Sequence, residues 1–271
     1  KSYYLPGKEP VAGNNVETTI DIGIQEVAED ALADIMEYLV DPERNVTKDG
    51  LPGDGQDAQG AAVIVMEVKT GNILACASYP TYNLATMYED WDVIMADEKN
   101  PMFNRAFGAE YPPGSAFKMC TLISAMENRN SKGEIIHPYG TTIRDKGVYT
   151  EYEGFYPTCL AWTSGGYTHG EIDGAYALCY SCNYFFYELA DRMYITAIDD
   201  TAKGLGLGEE TGVELPEYIG HRANKESKAE LYSGDDKNWY AGDQVLAAIG
   251  QSENRFTPMQ LCNYVTTIAN E

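Results

Sequence analysis

Long apolar runs are missing from this chain. No stretch reaches the roughly 18 residues that a transmembrane helix needs, so no membrane span is predicted. No secretory leader is read either, and the chain opens on Lys1-Ser2-Tyr3-Tyr4 without an initiator Met, as a piece of a longer protein would. Basic residues are scarce: 19 Lys and Arg stand against 42 Asp and Glu, a net charge of −23. Such a chain is repelled by nucleic acid and by anionic membrane surfaces, so neither is expected as a partner. The histidines, His137, His169 and His221, lie far apart in sequence. The six cysteines are too dispersed for the disulfide framework of a small secreted scaffold, and at apolar positions they read as small buried hydrophobes. No internal repeat and no low-complexity tract occurs. What remains is a globular composition, 44% hydrophobic, long enough for one large domain or two small ones.

The apolar spacing predicts a helix over Thr18 to Val40, with Ile24, Val27, Ala28, Ala31, Leu32, Ile35 and Leu39 on one stripe. A Pro- and Gly-rich loop follows, from Asp41 to Gly60. Ala61 to Val68 and Ile73 to Ser78 are short apolar runs joined by Lys69-Thr70-Gly71-Asn72, which reads as a β-hairpin. Residues 79–114 and 209–240 read as mostly irregular, and 130–170 as loop or short strands. Helical pieces are expected at Ser115 to Asn128, Ile172 to Leu178, Tyr184 to Met193 and Ala197 to Lys203. A last helix should start at Thr257-Pro258, with Thr as N-cap and Pro in the first turn.

The stretch Tyr111-Pro112-Pro113-Gly114-Ser115-Ala116-Phe117-Lys118 carries the chemistry. Pro-Pro-Gly breaks the preceding segment, and a helix begins at Ser115. Residues three apart share a helix face, which places Ser115 beside Lys118 in the first turn. A serine hydroxyl needs a base to become a nucleophile, and a desolvated, neutral lysine is one. Bringing a lysine from about 10.4 to roughly 7–8 costs about 3–4 kcal/mol. A second element, Ser181-Cys182-Asn183, sits between two helical pieces, where a short loop could aim polar side chains into a cleft.

Together the Ser-x-x-Lys and Ser-x-Asn motifs resemble the penicillin-binding proteins, the serine D,D-transpeptidases that cross-link peptidoglycan, and most closely the class B type. The resemblance covers nearly the whole chain. It includes Thr19-Ile20-Asp21, the hairpin at Gly60 to Ala75, Asn104-Arg105-Ala106, Gly204-Leu205-Gly206, Thr211-Gly212-Val213, Leu215-Pro216, Gly250-Gln251 and Thr257 to Leu261. It implies an α/β fold of the α+β kind, shared with serine β-lactamases, in which helices surround an antiparallel sheet. It implies Ser115 as nucleophile, Lys118 as general base, Ser181 as proton bridge to the leaving amine, and Asn183 as a substrate-binding residue. The Ser115 N–H would be half of an oxyanion hole. No cofactor and no metal is implied. The implied partners are stem peptides, β-lactams and a cell-wall glycosyltransferase of the elongation or division machinery. The implied location is the outer face of the cell membrane.

The family's third motif, Lys-Thr-Gly or Lys-Ser-Gly on a later strand, does not follow Asn183. Lys69-Thr70-Gly71 precedes Ser115 and reads as turn chemistry. The chain is therefore expected to be a partial transpeptidase domain over 1–271, inactive alone, with the upstream anchor and pedestal, the third-motif strand and part of the sheet lying outside it. A serine β-lactamase or β-lactam sensor shares both motifs and would need a carboxylate to activate water, for which Glu171 and Glu188 are nearest in sequence. A non-catalytic cell-wall assembly module is the reading of another class. Cys179-Tyr180-Ser181-Cys182 lacks the strand–helix context of a redox site, and no second Cys or His pair sits at zinc-ligand spacing. No Gly-x-Ser-x-Gly elbow supports a Ser-His-Asp triad, and Gly204 to Gly208 lacks the preceding strand of a nucleotide loop.

Overall fold

The structure is a computed structural model that describes residues 12–270; the Lys1-Ser2-Tyr3-Tyr4 opening and Glu271 lie outside the described residues. Its elements run in order α1 (Ile22–Val40), β1 (Ala61–Met66), β2 (Ile73–Tyr79), α2 (Trp91–Ala96), α3 (Arg105–Gly108), α4 (Lys118–Glu127), β3 (Ile143–Asp145), α5 (Leu160–Gly165), β4 (Gly170–Ile172), α6 (Gly174–Cys179), α7 (Asn183–Arg192), α8 (Ile195–Gly204), α9 (Lys225–Leu231), α10 (Ala241–Ala247) and α11 (Pro258–Ala269). Two antiparallel pairs, β1–β2 and β3–β4, make up the named strands. None of the described helices is long and apolar enough to cross a membrane.

The hairpin forms where the sequence predicts it. Gly71 takes a φ of 75° in its turn, a backbone state open to glycine. Side chains alternate across the pleat. Ala61, Val63, Val65, Ala75 and Ala77 pack on Ala28 and Leu32 of α1, while Ala62, Ile64, Met66, Ile73 and Cys76 pack on Ala106 and Phe107 of α3 and Met259 of α11. The hairpin is thus covered on both faces. Helix α1 starts at Ile22 rather than Thr18, because Thr19 Oγ1 and the Asp21 N–H bond the β2 carbonyls of Ile73 and Leu74, at 2.6 and 2.9 Å. Its buried stripe is narrower than expected: Ala28, Leu32 and Met36 are inside, while Val27, Ala31 and Ile35 are exposed.

A second, larger core holds the remaining helices together. Phe117, Cys120, Leu122, Ala125, Tyr184, Phe185, Phe186, Leu189, Ile198, Val245, Phe256 and Tyr264 are among its buried members. Helix α11 begins as predicted, with a reciprocal capping box between Thr257 and Gln260 and Pro258 in the first turn. Helices α2, α3 and α9 arise in segments read as irregular, and α5 in one read as loop or short strands. No residue of α5 is buried. Helix α9 is held by Lys228, which pairs with Asp243 at 2.6 Å and Glu253 at 3.8 Å, and not by an apolar stripe.

Candidate active site

Ser115, Lys118, Ser181 and Asn183 come together where the loop before α4 meets the turn between α6 and α7. Tyr111 and Phe256 exchange two backbone hydrogen bonds of 3.0 Å each, which fixes the start of the loop. Pro112 and Pro113 follow, then Gly114 turns with a φ of 56° and donates its N–H to Gly250 C=O at 3.0 Å. The two backbones touch: a Cβ on Gly250 would stand 2.2 Å from Gly114 O. Ser115 lies in a 3-10 turn, Gly114–Phe117, and the α-helix begins only at Lys118. Ser115 is exposed, whereas Lys118 is 1% exposed.

The second segment ends α6 in a Schellman motif. The Cys182 N–H bonds Ala177 C=O at 2.9 Å and the Ser181 N–H bonds Leu178 C=O at 3.1 Å. This motif puts Ser181 at the left-handed position that glycine usually fills, and its φ is 50°. A non-glycine residue there costs about 1–2 kcal/mol. Such local strain is characteristic of functional turns. Cys182, fully buried, then caps α7, so Ser181 and Asn183 flank a fixed point and aim the same way.

The Lys118 ammonium donates to Ser181 O at 2.8 Å, Ser181 Oγ at 2.9 Å and Asn183 Oδ1 at 2.6 Å. Ser181 Oγ in turn donates to Ser115 Oγ at 2.9 Å. Ser115 is therefore joined to Lys118 through the Ser181 hydroxyl. Burial draws Lys118 from 10.5 down to about 8, with the Cys182 and Cys159 thiols pulling the other way. Its ammonium also lies 5.6 Å from the centre of the Phe186 ring. The arrangement can pass a proton from an exposed hydroxyl to a buried amine that titrates near physiological pH. The two carboxylates nearest in sequence are engaged elsewhere. Glu171 accepts from Thr142 Oγ1 at 2.9 Å, and Glu188 accepts from Tyr184 and pairs with Arg192.

Sequence spacing gave no metal site, but the fold assembles a donor set beside the second motif. One ligand atom each from Asp145, Cys159, His169 and Cys182 lies within 4.8 Å of the others. The two sulfurs are 3.8 Å apart, Cys159 Sγ is 3.6 Å from His169 Nδ1, and that nitrogen is 2.8 Å from Asp145 Oδ2. One oxygen, one nitrogen and two sulfurs suit a four-coordinate divalent cation of the zinc type. The four residues are scattered over β3, the start of α5, the approach to β4 and the cap of α7, so no short motif betrays them. Cys182 faces Cys159 and not Cys179, its neighbour in the C-x-x-C.

Residues 61–271 match the family model described as the penicillin binding protein transpeptidase domain. The chain belongs to this penicillin-binding protein family. It is similar to the peptidoglycan D,D-transpeptidase MrdA of Acinetobacter baumannii, with 28% identity over 273 residues, covering 98% of this chain and 35% of that protein. The chain thus spans about a third of the length of such curated relatives. Among solved structures, the penicillin-binding protein PBP2 of Helicobacter pylori is 30% identical with a TM-score of 0.67, over 77% of this chain and 38% of that one. A chain of a peptidoglycan synthase complex that coordinates polymerization and crosslinking is 28% identical with a TM-score of 0.76, over 92% of this chain and 41% of that one. The penicillin-binding protein fold read from the motifs, helices around an antiparallel sheet, is borne out.

Proposed function

We propose that this chain carries the nucleophile of a peptidoglycan D,D-transpeptidase. Ser115 Oγ attacks the carbonyl carbon between the last two D-alanines of a stem peptide, and its proton passes through Ser181 to Lys118. The tetrahedral oxyanion draws on the Ser115 N–H. Collapse breaks the C–N bond, and Lys118 returns the proton through Ser181 to the departing D-alanine amine. A second stem peptide's amine then attacks the ester carbonyl, gives its proton to neutral Lys118, and takes the acyl group as the C–O bond breaks, while Lys118 returns the proton through Ser181 to Ser115 Oγ. Asn183 orients the amine of Lys118 and hydrogen-bonds the peptide backbone. A β-lactam, whose strained amide imitates the same bond, acylates the same serine.

The observation that carries this reading is the hydroxyl–hydroxyl–amine chain ending on a buried lysine. The engagement of Glu171 and Glu188 away from Ser115 supports a transferase over a β-lactamase, which needs a carboxylate poised on water. The working location is the outer face of the cell membrane, with the longer protein anchored there and the domain 1–271 projecting from it. A glycan-polymerising enzyme is the expected partner, in keeping with the synthase complex named above. In the full-length protein, fluorescent penicillin should label one serine, and Ser115→Ala should abolish the label. Labelling that survives Ser115→Ala, or rapid penicillin turnover, would sink the reading.

A further inference from the structure

Helix α4 has an irregularity at the turn that bears the nucleophile. In a regular α-helix the Cys120 N–H would bond Ala116 C=O, four residues back. Here the Cys120 N–H donates instead to the hydroxyl of Tyr264, at 2.9 Å, and that hydroxyl donates to Ala116 C=O at 3.2 Å. The phenol of α11 is inserted into one rung of the helical ladder. Insertion of a side chain into the i to i−4 ladder is a recognised cause of helix distortion. The distortion falls where the 3-10 turn Gly114–Phe117 gives way to the α-helix at Lys118. Ser115 therefore sits on the 3-10 side of the inserted hydroxyl and Lys118 between the two bridged residues.

We infer that Tyr264 is a positioning residue for the transpeptidase reaction: its hydroxyl holds the nucleophile turn in 3-10 geometry, and so sets where Ser115 Oγ stands relative to Ser181 and Lys118. Tyr264 is fully buried, with its ring packed in the larger core. Its hydroxyl is the one polar atom it brings to that core, and both of its hydrogen bonds go to the nucleophile helix. Without the hydroxyl, the Ala116 C=O and the Cys120 N–H can pair with each other, so the helix extends toward its N-terminus and the turn rewinds. Rewinding from three to 3.6 residues per turn rotates the Ser115 side chain about the helix axis and away from Ser181. The inference rests on the transpeptidase reading for its kinetics but not for its geometry.

The test uses Tyr264→Phe in the full-length protein, with Thr121→Val as a comparison. Thr121 is buried in the same helix and donates from Oγ1 to Ala248 O at 2.8 Å, away from the serine turn. Acylation by a fluorescent penicillin is resolved into the non-covalent affinity and the first-order acylation constant. Tyr264→Phe should lower the acylation constant by about tenfold to a hundredfold, the scale of an ångström-sized misplacement, with the affinity unchanged within about twofold. Thr121→Val should lower the melting temperature while leaving that constant within about twofold. A crystal structure of Tyr264→Phe should show the Cys120 N–H bonded directly to Ala116 C=O. An unchanged acylation constant in Tyr264→Phe, or an equal loss in Thr121→Val, overturns the inference. If the wild-type protein is not acylated at Ser115, it is the transpeptidase reading that fails. The crystal structure then decides the positioning claim alone: a rewound turn supports it, and an unaltered backbone overturns it.

Discussion

In the proposed mechanism Lys118 sets the pH at which the site can work. Its amine must be neutral to accept a proton, and burial brings it down to about 8. A base that is neutral only above its own pKa gives a rate that rises with pH. The acylation constant should climb about tenfold per pH unit below the midpoint and level off above about pH 8. A stopped-flow series across pH 6 to 10 reads this directly, and a flat profile would contradict it. Lys118→Arg, which keeps a permanent charge, should leave almost no acylation at any pH in that series. Ser181 carries a different tension. Its hydroxyl lies between Ser115 and Lys118, as the proposed proton path needs, yet its backbone occupies a glycine position. Ser181→Gly and Ser181→Ala both remove the hydroxyl, so both should lose acylation. The glycine variant should nonetheless be the more stable by about 1 kcal/mol, since only alanine keeps a Cβ in the left-handed region. Urea denaturation of the two variants measures that difference, and equal midpoints would refute the strain.

At the scale of elements, the donor cluster ties together pieces with little core of their own. Strand β3 is three residues long and α5 buries none of its residues. Asp145, Cys159, His169 and Cys182 converge from these pieces onto the cap of α7. Were the cluster to hold zinc, the ion at about a hundred times its dissociation constant would add roughly 2.7 kcal/mol to the folded state. For a domain of this size that is a rise of about 5–10 °C in melting temperature. Calorimetry with and without zinc should show the rise in the wild-type protein and little of it in Cys159→Ser; an equal rise in both would exclude the cluster. The same elements show what the sequence could convey. The hairpin turn at Gly71 and the start of α11 at Thr257-Pro258 were legible because their causes are local: a positive φ and a cap. The Ser115 and Ser181 motifs were legible through their spacing and their likeness to a family. Helix α9 was not, because ion pairs from Lys228 to Asp243 and Glu253 hold it. Nor were the left-handed Ser181, the inserted Tyr264 hydroxyl or the donor cluster, since each depends on partners brought close only by the finished fold.

Over the whole molecule, the excess of 42 acidic over 19 basic residues works against compactness. Screening should relieve it. The Debye length falls from about 30 Å at 0.01 M salt to about 8 Å at 0.15 M. The melting temperature in sodium chloride should therefore rise by a few degrees over that interval, and a fall would mean that attractive pairs such as Arg222 with Asp199 and Glu209 outweigh the repulsion. The hydrogen bonds around Ser115 have a consequence in time as well. The serine turn is held by Ser181, Gly250, Phe256 and Tyr264, all of which are synthesised after it. At about 5–20 residues per second, the ribosome takes roughly 7–30 s to travel from Ser115 to Tyr264. Throughout that interval the serine is an ordinary hydroxyl. Under the proposed mechanism, reactivity toward penicillin would be a late-acquired property, and a chain that took the label would already have brought its distant segments home.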